Sequence, residues 1–319
     1  MSDGHDGSAP RARDLLPIAA TIAAVLLWGL APVGLRFIVL RVDPLAVLAL
    51  RFSISSLAFL PVLIHSRLMG WSWSDIKSGV VCALVGIVGY GLPVTIGQQW
   101  TTASMTGLIL ASEPIWILLV WALLERRRPG LGAGAGALLG LVGVGLLFDG
   151  GGTIPGGNGA LGAGLVLLSA IAWSAYCVLV RDLAFRRGVL QVTAFTIVVG
   201  SLPLIAMGAG GAVTEIGQLT TKEWAVLVAL AIGGSVFAIM LWNYGVARLS
   251  ALRAGPFLYL VPLVTVLGGV GLLDESLDLR LLLGGTIILA GVVTAQGSWA
   301  EKLLRRAFSR PQGAGPSSR

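Results

Sequence analysis

Three observations predict an all-α integral membrane protein with ten transmembrane helices arranged as two inverted five-helix repeats. The chain has ten apolar stretches of membrane-spanning length, its basic residues concentrate in alternate connections, and its second half repeats the first at a nearly constant shift. Composition agrees. Of 319 residues, 56% are hydrophobic and 12% charged, with a mean hydropathy of +0.90, and that charged fraction is about half that of a soluble domain.

The stretches fall at roughly 15–35, 44–64, 78–97, 102–124, 131–148, 160–180, 189–209, 224–247, 254–273 and 281–299. At about 1.5 Å per residue, each is close to the length needed to cross about 30 Å of hydrocarbon. With the N-terminus in the cytoplasm, the outer connections hold only Arg36, Arg41, Lys222 and Arg280, Arg51 lies within a helix, and every other Lys and Arg falls in an inner segment. Positive charge is retained on the cytoplasmic side, so this asymmetry predicts a multi-pass protein of the inner (plasma) membrane with both termini inside. It also accounts for a pI of about 10.1 without nucleic acid as a partner; the expected partners are the lipid bilayer and a small-molecule substrate.

Residues 1–14 have no apolar core or small-residue cleavage site, which predicts a disordered cytoplasmic tail and retention of the first helix. That helix carries Trp28, about 20 Å from its inner end by helical rise, with Pro32 breaking its outer half. Trp28 is either an interfacial belt residue or a cavity residue. The second helix holds Arg51 about 10 Å below the outer surface, able to snorkel outward or to face a cavity and meet Glu113. The third is soft, with Gly86, Gly89, Gly91, Pro93 and Gly97 in its second half, and Gln98, Gln99 and Trp100 end it.

The fourth helix contains Glu113 and Pro114 at mid-depth, with Trp116 one turn further in. A charged group there costs at least about 2.5 kcal/mol and marks a substrate path or proton relay, the alternative being a structural carboxylate tied to Arg51 or to amides freed by the proline. The fifth helix places Gly132, Gly136 and Gly140 at four-residue spacing, a smooth face for close packing. Residues 149–159 (DGGGTIPGGNG) read as a flexible extracellular linker with no phosphate-loop signature, so ATP-driven pumping by this chain is not expected. Cys82 and Cys177 lie in apolar stretches, and neither a disulfide framework, a metal site nor a cofactor is expected.

The second half matches the first. Trp173 and Arg181 follow Trp28 and Arg36 by 145 positions, and a shift of 148 pairs Gly86 with Gly234, Gly97 with Gly245, Ala103 with Ala251, Gly107 with Gly255, Pro114 with Pro262, Gly136 with Gly284 and Gly143 with Gly291. Five helices per repeat is odd, so the second repeat enters the membrane from the opposite side. Inverted repeats place a substrate site near mid-membrane at their interface. Domain limits follow: a first repeat at 15–148, the linker at 149–159, a second repeat at 160–299 and a basic cytoplasmic tail at 300–319.

The block Leu241-Trp242-Asn243-Tyr244-Gly245-Val246-Ala247-Arg248-Leu249-Ser250-Ala251, continuing through Leu260-Val261-Pro262-Leu263 to Leu273-Asp274-Glu275, resembles the EamA type of the drug/metabolite transporter superfamily. Leu27-Trp28-Gly29, Leu50-Arg51-Phe52, Glu113-Pro114, Gly136 and Gly143 carry the resemblance in the first half. It implies a ten-helix secondary carrier, often an exporter of amino acids or other small metabolites, with its cavity between the repeats. The pattern's acidic residue, Glu275 thirteen positions after Pro262, is Arg127 in the first half, with Glu125 two residues early.

Candidate substrate or coupling residues are therefore Glu113 and Arg51, then Trp28, Trp116, Trp173, Tyr176, Asn243 and Tyr259, with Pro32, Pro93, Pro114 and Pro262 as helix breaks. Aromatic rings with a polar edge line wet cavities, a helical amide such as Asn243 needs partners in lipid, and Arg51 can hold a carboxylate bidentately. The histidines, His5 and His65, sit far from mid-membrane, so an enzyme is not expected. The expected function is a secondary exporter of small metabolites working by alternating access, with proton exchange through Glu113. The alternative is a passive channel or noncatalytic membrane scaffold.

Overall fold

A computed structural model describes residues 12–66, 68, 70–124, 126, 130–148, 158–249, 257, 258 and 260–308. Tyr259, Glu125, Arg127, residues 149–157 of the linker and the outermost parts of both tails lie outside the described residues. The rest is helical, with no β-strand. Seven helical spans are long and apolar enough to cross a membrane, and three shorter apolar helices, Gly134–Leu147, Leu260–Leu273 and Leu279–Thr294, occupy the places of the fifth, ninth and tenth expected spans.

In order, the helices are α1 (Ala12–Val39), α2 (Pro44–Ser66), α3 (Trp73–Ala83), α4 (Gly89–Gly97), α5 (Ala103–Leu110), α6 (Glu113–Leu124), α7 (Leu131–Phe148), α8 (Gly159–Arg187), α9 (Val189–Glu215), α10 (Thr221–Val228), α11 (Ala238–Leu249), α12 (Leu260–Leu273) and α13 (Leu279–Phe308). Local chemistry fixes several starts. Ser72 with Asp75 and Thr220 with Glu223 form capping boxes at the matched helices α3 and α10, satisfying amides that have no intrahelical acceptor.

Two departures from the sequence expectation shape the centre of the molecule. The soft third span does not break at Pro93. It passes through a π-helical segment, Leu84–Val88, joining α3 to α4, and its counterpart Ala229–Phe237 joins α10 to α11. The fourth span is divided into α5 and α6 by a turn at Ala111–Ser112, so Glu113 opens a new half-helix. Pro114 stands in the first turn of α6, where its missing N–H costs little. Ser112 Oγ donates to Ile109 O at 2.6 Å, and Ser174 Oγ donates to Glu113 O at 3.0 Å, supplying partners at the interrupted backbone.

The halves interlock. Helix α1 packs on α11 and α12, and α8, its counterpart, packs on α4 and α6; α2 lies along α9, and α7 along α13. The glycines of the last pair form a reciprocal seam. Gly143 lies against the carbonyl of Gly284 and the amide of Ile288, while Gly291 lies against the carbonyl of Gly136 and the amide of Gly140. A shift of 148 converts each contact into the other, as a two-fold relation between repeats requires. The Gly136 and Gly140 stripe is thus used in packing within the chain. The shift of 145 also holds in space: Ser55 Oγ donates to Ala231 O at 3.2 Å, and the matched Gly200 lies against Ala83 O.

Candidate functional site

Between the repeats, α1, α2, both π segments, the α5–α6 break, α8 and α12 enclose a cavity of about 70 Å³. That is room for a few waters, well below the volume of about 300 Å³ or more typical of metabolite sites. Its wall includes Trp28, Pro32, Arg51, Glu113, Pro114 and Trp173 of the sequence candidates.

Arg51 is buried, and its Nε and Nη2 donate to Ser235 Oγ at 3.2 and 3.0 Å. It does not snorkel outward, and it forms no ion pair with Glu113 within 4.0 Å. With one hydroxyl as acceptor, the guanidinium keeps donors to spare. The Glu113 side chain is also buried, and no donor among the described residues reaches its carboxylate, although α6 presents its N-terminal end there. A guanidinium and a carboxyl group therefore share one enclosure without direct contact.

The aromatic residues divide into two sets. The Trp28 ring meets Trp173 edge-on at 5.6 Å and 82°, Tyr90 lies 5.4 Å from Trp173, and Trp28 Nε1 donates to Gly234 O in the second π segment at 3.1 Å. Trp28 is thus a cavity residue, held against the second π segment and packed among protein groups. Tyr176 stands behind this wall, stacked on Trp173 at 5.0 Å and 29°, and is packed by Gly86. Trp116 turns its indole to Ser112 Oγ at 3.0 Å, and Asn243 donates to Thr193 Oγ1 at 2.9 Å; neither lines the cavity. Pro93 and Pro262 shape buried backbone away from it.

Among the lining residues, Tyr90, Gln98, Gly234 and Ser235 were not candidates for the site from sequence. Gln98 is fully buried, donates from Nε2 to Pro32 O at 3.1 Å, and leaves Oε1 without a partner among the described residues. Glu275 lies apart from the cavity. Its carboxylate accepts from the amides of Ala103 and Ser104 at 2.6 and 2.9 Å and from Ser104 Oγ at 2.7 Å, capping α5.

A family profile described as the EamA-like transporter family matches residues 15–149 and 160–295. The chain belongs to that family. This EamA-like transporter is similar to a transporter of Archaeoglobus fulgidus, itself uncharacterized, at 26% identity over 84% of this chain and 94% of the relative. It is similar to the uncharacterized inner membrane transporter YedA of Escherichia coli K12, at 27% over 91% and 94%. It also resembles a probable terminal-alkyne amino-acid exporter of Streptantibioticus cattleyicolor, at 26% over 69% and 72%. A solved structure described only as the crystal structure of a protein superposes with a TM-score of 0.58 at 24% identity, covering 92% of this chain and 99% of its own, and supports the fold. The transporter is a multi-pass membrane protein, and its cavity lies where the two family-matched segments meet.

Proposed function

We propose that the chain exports zwitterionic, amino-acid-like metabolites by alternating access, with both termini in the cytoplasm. The observation that carries this is the guanidinium of Arg51 and the carboxyl group of Glu113, held in one aromatic-walled cavity without pairing. A zwitterion supplies what each lacks: its carboxylate accepts from the spare guanidinium donors of Arg51, and its ammonium donates to Glu113. Trp28, Trp173 and Tyr90 then face the apolar part of the cargo. The amino-acid exporter among the relatives supports the same substrate class. The small cavity supports a carrier over an open pore, because cargo enters only when one face opens.

Glu113 also serves as the coupling group, exchanging its proton as cargo or counter-ion arrives. The test compares metabolites in medium and cytosol of bacterial cells expressing wild type or Glu113→Gln at matched membrane levels, with and without an imposed pH gradient. Export of an amino-acid-like compound by wild type alone is the expected result. Gradient-dependent export persisting in Glu113→Gln defeats the coupling role, and accumulation inside the cell reverses the direction.

A further inference from the structure

The repeat makes each contact in one half a prediction for the other, and at the ends of one pair of matched spans that prediction fails. The span α3–α4 is tied at both ends by arginines. At its outer end Arg36 is buried, and its Nη1 donates to the carbonyls of Gln98 and, at 3.1 Å, Gln99. Those carbonyls close α4, where acceptors lack intrahelical donors and the helix dipole favours a cation. At its inner end Asp75 pairs with Arg187 at 2.6 Å and Arg186 at 3.3 Å.

Among the described residues, no arginine ties the matched span α10–α11 at either end. Arg181, the counterpart of Arg36, is exposed and forms no hydrogen bond or ion pair with the described residues. Its matched acceptors, the carbonyls of Val246 and Ala247, stand in the last turn of α11. Glu223, the counterpart of Asp75, closes its capping box with Thr220 but makes no ion pair with Arg41 within 4.0 Å. Arg41, the counterpart of Arg186, instead donates to Phe37 O at 2.9 Å and covers the Phe37 ring at 4.2 Å. Beside this outer clasp, Gln98 Oε1 is buried with no donor among the described residues, which is costly.

We propose that these arginines are the gating residues of the transport step. In the opposite-facing state Arg181 donates to the carbonyls of Val246 and Ala247 and Arg41 pairs with Glu223, while Arg36 releases α4 and Arg186 and Arg187 release Asp75. Inverted repeats reach their second state by exchanging conformations, so contacts present in one repeat and absent from its counterpart are those expected to change hands. An interaction made in only one state shifts the population toward that state. The inference rests on the alternating-access reading above.

The test uses the full chain carrying Cys82→Ala and Cys177→Ala, with one added cysteine: Leu35→Cys, in the outer part of the cavity wall, or its counterpart Val180→Cys. A membrane-impermeant maleimide is applied to right-side-out and inside-out vesicles. Arg36→Ala is expected to raise outside labelling of Leu35→Cys about tenfold, the scale of one lost charge-assisted hydrogen bond, and to lower inside labelling of Val180→Cys. Arg181→Ala, whose exposed side chain holds nothing in this conformation, is expected to shift both rates the other way. If both arginine variants leave both rates unchanged, the gating assignment is overturned while alternating access stands. If each variant moves the two cysteines in the same direction, the arginines are structural and the assignment is again overturned. Rapid labelling of both cysteines from their own sides without either variant overturns alternating access, and the gating assignment with it.

Discussion

Gly86 and Gly234 occupy one position in the repeat and both line the cavity, yet alanine at each has opposite expected outcomes. A Cβ on Gly86 would lie within 2.9 Å of three atoms of Tyr176, which is 1% exposed and stacked on Trp173 and so has nowhere to go. A Cβ on Gly234 meets only Arg51 Nη2 at 3.8 Å and Ala31 Cβ at 4.0 Å, ordinary contact distances. Overpacking a core costs about 1–3 kcal/mol, and replacing a helical glycine by alanine returns about 0.5–1 kcal/mol. Gly86→Ala is therefore expected to lose about 1–2 kcal/mol and Gly234→Ala to gain about 0.5–1 kcal/mol. At about 2–4 °C per kcal/mol, the thermal midpoints of the two variants separate by roughly 3–12 °C. The assay is the apparent midpoint of purified protein in one detergent at one scan rate, because unfolding of such proteins is often irreversible. Equal shifts, or a larger loss at Gly234, would refute the packing argument. Gly86→Ala also pushes Tyr176 against Trp173, so transport per molecule should fall in that variant and not in the other.

Three further outcomes follow from the same contacts. Arg51→Lys keeps the charge but not the fork that reaches both Ser235 and a carboxylate, so KM for a zwitterionic cargo should rise about tenfold with little change in kcat; unchanged KM would remove Arg51 from the binding site. Trp28→Phe keeps a ring beside Trp173 but loses the donor to Gly234 O, and should lower the thermal midpoint by the equivalent of about 1 kcal/mol. Glu275→Gln should lower it by a similar amount, about 1 kcal/mol, through the lost charge at the α5 cap, without altering substrate affinity.

Much of this molecule was legible in the sequence because its strongest signals are repetitive. Apolar length gave the spans, and matched glycines gave the repeat; the Gly143 and Gly291 seam shows why those positions match, since a side chain at either would strike backbone. The π segments were not legible. A π turn is a change of hydrogen-bond register with no residue type of its own, and the glycines and proline nearby suggested a kink at Pro93 instead. Ser235 was missed because its importance comes from Arg51, 184 positions away. A usable signal did exist, in the mismatches within the repeat. Arg51 answers to Thr196, Ile87 to Ser235, Tyr90 to Ala238, Gln98 to Val246 and Glu113 to Val261, and the polar member of each of these pairs except Thr196 lines the cavity. In this duplicated fold, such mismatches mark the polar part of the cavity wall.

The broken helix before Glu113 has an evolutionary side. The matched position before Pro262 carries Val261, so one copy of the duplicated unit keeps the proline without the carboxyl group. Arg51, Tyr90, Gln98 and Glu113 all reside in the first copy. Under the proposed function, a lineage can therefore alter cargo preference by drift at a few first-copy codons, while the second copy, with plainer residues at the matched positions, keeps the packing against which new variants are tried.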